Sequence, residues 1–170
     1  MRAARGFTLV EMMVVIAIIA ILSSIATLSW NRMVMKNTIE GQIKTVHADM
    51  MGIRLDSLYS KRARSVTLTG NLFRIYSSTA TGASVTPVSS RTFKYNFIST
   101  SANTPASDTV TFDTSGMANG TQISFCVDPF GTTVEPVDAV VDSIVVSQAR
   151  INLGKRKEGG SCVTGDIIQK

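Results

Sequence analysis

The chemistry this chain could do is concentrated in a few places. The first is Arg5-Gly6-Phe7-Thr8-Leu9-Val10-Glu11, followed by an apolar run to Trp30 that contains no further charge. A lone carboxylate within a membrane-length helix costs about 2.5–3.5 kcal/mol on insertion scales, so such a residue normally has a task. The second is the pair Cys126 and Cys162, with no CxxC spacing to suggest a zinc site or a dithiol redox centre. The third is Lys155-Arg156-Lys157, set between Gly154 and Gly159-Gly160, with Arg150 nearby and Glu158 partly offsetting it. Those glycines predict an exposed turn, and cations on such a turn can contact phosphates with a strong salt dependence. The bland alternative is a solvated turn, or a contact with an acidic neighbour. His47 is the only histidine, and a lone histidine on a helical pattern is ordinarily surface or satisfied core. No Gly-x-Ser-x-Gly, His-Glu-x-x-His or phosphate-cradling glycine loop occurs. No catalytic residue, metal ligand or cofactor is assigned, and an enzyme is not expected.

These residues need elements to position them. A helix from Phe7 to Trp30 would run about 36 Å at 1.5 Å per residue, longer than the roughly 30 Å hydrocarbon core of a bilayer. A secretory signal peptide is the competing reading, since Arg2 and Arg5 form a basic start and Ser23-Ser24-Ile25-Ala26 are mostly small. Its apolar region would be only about 7–15 residues long, which this run exceeds. Arg2 and Arg5 favour a cytoplasmic N-terminus, which leaves the rest of the chain outside the inner membrane in an oxidising space.

The N-terminal residues resemble the type IV pilin and pseudopilin superfamily, whose members carry a short basic leader ending in glycine, an aromatic first mature residue and a glutamate four positions later. Gly6, Phe7 and Glu11 match those points. The resemblance implies a leader of residues 1–6 cut between Gly6 and Phe7, N-methylation of Phe7, and a transmembrane and polymerisation helix over 7–30. It also implies that Glu11 pairs with the Phe7 amine of a neighbouring subunit, which offsets the cost of burying one unpaired charge. Many major pilins have a kinking proline in this helix, whereas here no proline precedes Pro87.

Beyond the stem, about 140 residues are enough for one modest domain over 31–170 and not two. The formal charge is +5. Loss of Arg2 and Arg5 lowers the side-chain balance by two, too small an excess for a dedicated nucleic-acid protein. In an oxidising compartment Cys126 and Cys162 are expected to bridge, although two buried free thiols are the alternative. An amphipathic helix is expected over 31–62, because Ile39, Ile43, Val46, Met50 and Ile53 recur at steps of four and three. Lys61-Arg62-Ala63-Arg64 suits its C-terminal end.

A β-rich region is expected over 65–170. Ser65–Thr69 and Asn71–Tyr76 form a first hairpin, and Arg91–Ile98 puts Phe93, Tyr95 and Phe97 on one face. Thr109–Asp113 and Thr121–Val127 flank a turn, and Asp142–Gln148 is followed by Arg150–Leu153. Ser77–Ser90 and Ser99–Ser107 read as mobile loops. The expected fold is α+β and pilin-like, a long N-terminal helix packed on an antiparallel sheet.

Three segments narrow the resemblance to GspH/FimT-type minor pilins and pseudopilins. They are the basic helix-to-strand junction Leu58–Leu68, the strand and glycine turn Val110–Gly116 leading to Gln122–Cys126, and Ile144–Ser147 leading to Arg150–Lys157. The resemblance implies an inner-membrane, single-pass precursor that enters a pilus or pseudopilus and helps initiate or cap it. Its partners would be other major and minor pilins, a prepilin peptidase/methyltransferase and an inner-membrane assembly platform. Some FimT-type relatives are DNA receptors in natural transformation. Double-stranded DNA at Arg150, Lys155, Arg156 and Lys157 is therefore one alternative, and a type II secretion pseudopilin is another.

Overall fold

The computed structural model describes residues 6–99, 102–105, 107–120, 122–131 and 138–170, and Arg2 and Arg5 lie outside them. One helix, α1, runs Leu9–Ser60. The chain divides into two compact units, Met1–Met35 and Lys36–Lys170. Among the described residues no helix is long and apolar enough to cross a membrane.

In the second unit α1 buries the expected stripe. Ile39, Ile43, Val46 and Met50 are fully buried, and Ile53 nearly so. Each such side chain contributes about 1.5–3 kcal/mol relative to exposure. Polar ties fix the helix on its bed. The buried Gln42 amide donates to the Tyr95 carbonyl at 3.2 Å and accepts the Tyr95 N–H at 3.1 Å. His47 Nε2 lies 3.0 Å from the Ile151 carbonyl, which can only accept, so Nε2 carries the proton. The helix stops where Lys61 adopts a left-handed φ of 53°, and an Asp56–Arg64 ion pair of 3.0 Å spans the stop.

The strands are β1 (Arg64–Thr69), β2 (Leu72–Tyr76), β3 (Ser89–Thr92), β4 (Asn96–Ser99), β5 (Ala102–Pro105), β6 (Ser107–Phe112), β7 (Ala118–Asn119), β8 (Ile123–Asp128), β9 (Ser143–Val146), β10 (Ile151–Arg156) and β11 (Ile167–Gln169). They make two sheets instead of the single sheet expected, ordered β3-β2-β1-β6-β7 and β11-β10-β9-β8-β4-β5, and every pairing is antiparallel. The first hairpin turns at Gly70, whose φ of 58° glycine adopts without strain. Val66 and Leu68 are both buried, with Phe73 and Tyr76 from β2.

Two expectations about strands are corrected. Arg91–Ile98 is not one strand, because the chain leaves the first sheet after Thr92 and joins the second at Asn96. The crossing is held by side chains gripping backbone. Asn71 takes the Phe93 carbonyl at 3.0 Å, Gln42 takes the Tyr95 peptide, and the Phe93 and Phe97 rings meet edge-on at 5.5 Å. Ser99–Ser107 is not wholly loop, since β5 within it pairs with β4 at the sheet's edge. Pro105 sits on that edge strand, a position proline tolerates because it has no N–H to donate inward.

Candidate functional site

The N-terminal residues form a capped helix start. Thr8 precedes the first helical residue, and its Oγ1 accepts the Glu11 N–H at 3.2 Å. This satisfies one of the helix's otherwise unpaired N–H groups. Glu11 thereby sits in the first turn, where a carboxylate meets the positive end of the helix dipole. Gly6 and Glu11 are exposed, and Phe7 is 74% exposed. The exposure is not one-sided: Leu9, Val10, Met12, Met13, Val14, Val15, Ile16, Ile18, Ile19, Ile21 and Leu22 are each 45% exposed or more. A helix apolar all round belongs inside something, whether lipid or other chains. Thr8 carries no assignment above, yet Thr-x-x-Glu ahead of an apolar run is a capping-box pattern that the sequence displays.

The C-terminal candidates separate from one another. Cys126 and Cys162 are bonded, joining β8 to the segment between β10 and β11. The bridge lies among Ile98, Val145 and Ile167, and the Ser124 hydroxyl donates to the Cys162 carbonyl at 2.7 Å. The expected exposed turn at 155–157 is a correction. Lys155 and Arg156 belong to β10, and the chain turns only after them. Alternation along that strand sends neighbouring side chains to opposite faces. Arg156 therefore points inward and is 2% exposed, while Lys155 is half-buried and Lys157 exposed.

Arg156 is fully engaged in the interior. Its Nε lies 3.3 Å from Asp142 Oδ2, its backbone N–H donates to Asp142 Oδ1 at 2.9 Å, and Nη2 donates to the Val127 carbonyl at 2.9 Å. Asp142 is itself fully buried. One guanidinium thus ties β8, the start of β9 and the end of β10 together. Lys157 Nζ donates to the Gly165 carbonyl at 2.8 Å, and Arg150 is exposed at the other end of the strand. The four cations do not form one patch. Gly154 is likewise an interior strand residue and not a loop glycine. A Cβ there would collide with Ile167 Cγ2 and stand 3.1 Å from Ser143 Oγ.

Two carboxylates elsewhere are held ionised. Glu40 lies below its ordinary pKa of 4.5, chiefly because the Val140 N–H donates to it at 2.8 Å, with Lys44 adding a 3.3 Å ion pair. Asp113 is lowered by the Ser115 hydroxyl first, then the Met117 N–H, in the turn after β6. Among the described residues no cluster of His, Cys, Asp and Glu could hold a metal ion.

Residues 1–27 match the family model described as the prokaryotic N-terminal methylation motif. No curated protein sequence matches the chain. The fold is similar to the type IV minor pilin FimU of Pseudomonas aeruginosa, seen in two crystal forms. One aligns with a TM-score of 0.54 and 21% identity, covering 73% of this chain and 99% of that one. The other gives 0.56 and 21%, covering 76% and 98%. The likeness shows a pilin-like α+β fold, and with the leader motif it supports a pilin role.

Proposed function

We propose that this chain is a minor pilin or pseudopilin of GspH/FimT type, a structural subunit that helps initiate or cap a type IV pilus. The observation that carries the reading is the capped stem, an uncovered apolar helix with its one carboxylate in the first turn. The precursor spans the inner membrane once through residues 7–30, N-terminus in the cytoplasm and domain in the periplasm. A prepilin peptidase cuts between Gly6 and Phe7, and methylation of the Phe7 amine leaves its charge intact. As the stem passes from lipid into the fibre, Glu11 takes the Phe7 amine of a neighbouring subunit, so neither charge is buried alone. The role is structural and not catalytic. The DNA-receptor alternative loses Arg156, whose guanidinium is buried against Asp142.

The test separates pairing from capping. Glu11→Gln keeps the shape and removes the charge, whereas Thr8→Ala removes the cap and keeps the charge. In cells, both precursors insert and accumulate. Glu11→Gln lowers fibre incorporation by about a hundredfold or more, the equivalent of the roughly 3–5 kcal/mol lost when one partner of a buried ion pair is removed, and Thr8→Ala lowers it far less. Normal incorporation of Glu11→Gln contradicts the reading.

A further inference from the structure

The last turns of α1 carry a second apolar stripe that stays largely open among the described residues. Leu55, Leu58 and Tyr59, spaced by three and four and so on one face, are 50%, 37% and 82% exposed. The turn after β6 extends this patch. A Cβ on Gly116 would stand 3.2 Å from the Arg54 carbonyl and 3.6 Å from Leu58 Cβ, so that turn lies directly against the helix. The next residue, Met117, is 42% exposed. Lys61 and Arg62 follow at the patch's edge, both exposed. The nearest helical carboxylate, Asp56, is already taken by Arg64.

From these we infer that the patch of Leu55, Leu58, Tyr59 and Met117, rimmed by Lys61 and Arg62, docks a different protein chain that presents carboxylates around an apolar centre. Apolar residues with an aromatic anchor and a charged rim are the make-up of a protein interface. Self-association through this face would set Lys61 and Arg62 against their own copies. Lys61 occupies the left-handed position that ends the helix. The patch lies wholly within Lys36–Lys170 and does not rest on the fibre reading.

Photocrosslinking in the producing cells tests this, using the full chain with Tyr59 replaced by p-benzoylphenylalanine and the same probe at Val88 as a control. The expected result is an adduct from Tyr59, absent from Val88, with a peptide of another polypeptide bearing at least two carboxylates. Lys61→Glu with Arg62→Glu lowers that adduct about tenfold, and replacing the identified carboxylates with lysine restores it. Formation of the Cys126–Cys162 bridge in each variant verifies the fold. An adduct with lipid, with nucleic acid or with a second copy overturns the inference, as does no adduct or one indifferent to the charge reversal. Running the set again in the Glu11→Gln chain separates loss of the patch's partner from loss of fibre incorporation.

Discussion

Replacing Arg156 with alanine tests whether the basic C-terminal residues are surface or structure. The substitution removes the Nε contact to Asp142 Oδ2 and the Nη2 donor to the Val127 carbonyl, leaving only the backbone N–H on the other carboxylate oxygen. Asp142 then stays buried with its charge uncompensated, and losing one partner of a buried pair costs about 3–5 kcal/mol. At about 2–4 °C per kcal/mol for a chain of this size, the melting temperature falls by about 6–20 °C. The assay is far-UV circular dichroism of the full chain in detergent micelles. Lys157→Ala, which loses only an exposed bond to the Gly165 carbonyl, should shift melting by no more than about 2 °C. Arg156→Met combined with Asp142→Asn should recover much of the loss, because the amide still accepts the backbone N–H and no net charge is buried. If Arg156→Ala melts within about 2 °C of Lys157→Ala, the interior pair is not what holds β8, β9 and β10, and the reasoning fails.

Three further outcomes follow from the same geometry. Removing the Cys126–Cys162 bridge with a double serine variant should cost about 4 kcal/mol by the loop-entropy model, read by urea titration with and without reductant. Gly154→Ala should destabilise by about 1–3 kcal/mol, and adding Ile167→Ala should return part of it, since Ile167 occupies the space the new methyl needs. The Val140 N–H chiefly, with Lys44 behind it, holds Glu40 below 4.5 in the folded chain. Its stabilisation is therefore complete above that unfolded value and is lost as pH falls through the lower folded one. Glu40→Gln should lower stability at neutral pH and flatten the curve below about pH 4.5, so that the two chains converge in acid, as read by urea titrations.

What could be read from the residues depended on periodicity. The helical stripe from Ile39 to Ile53 and the hairpin around Gly70 are local patterns with one physical meaning each, and both form. Arg156 was illegible because three consecutive cations among glycines have the composition of a loop. Which of them turns inward depends on a strand alternation that meets Asp142 from another strand. Gly154 misled for a related reason: its glycine serves a side chain, Ile167, that reaches it only through the pairing of β10 with β11. The split of Arg91–Ile98 into two sheets was hidden because its alternating aromatics fit a continuous strand. The break comes from Gln42, far upstream, seizing the Tyr95 peptide. Thr8 was legible as the first member of a capping box.

The ties between α1 and the late strands also set an order of events. His47 reaches the carbonyl of a residue 104 positions later, and Glu40 the N–H of one 100 positions later. During synthesis the helix emerges first, but the strands that receive it arrive last. Its apolar stripe must wait, bare, until nearly the whole domain has followed. Pairing over such separations folds slowly and leaves surface exposed to wrong partners. A chain cut short before Ile151 lacks one of the helix's receptors, so a truncated product should persist as an unfinished, aggregation-prone species instead of a smaller stable domain.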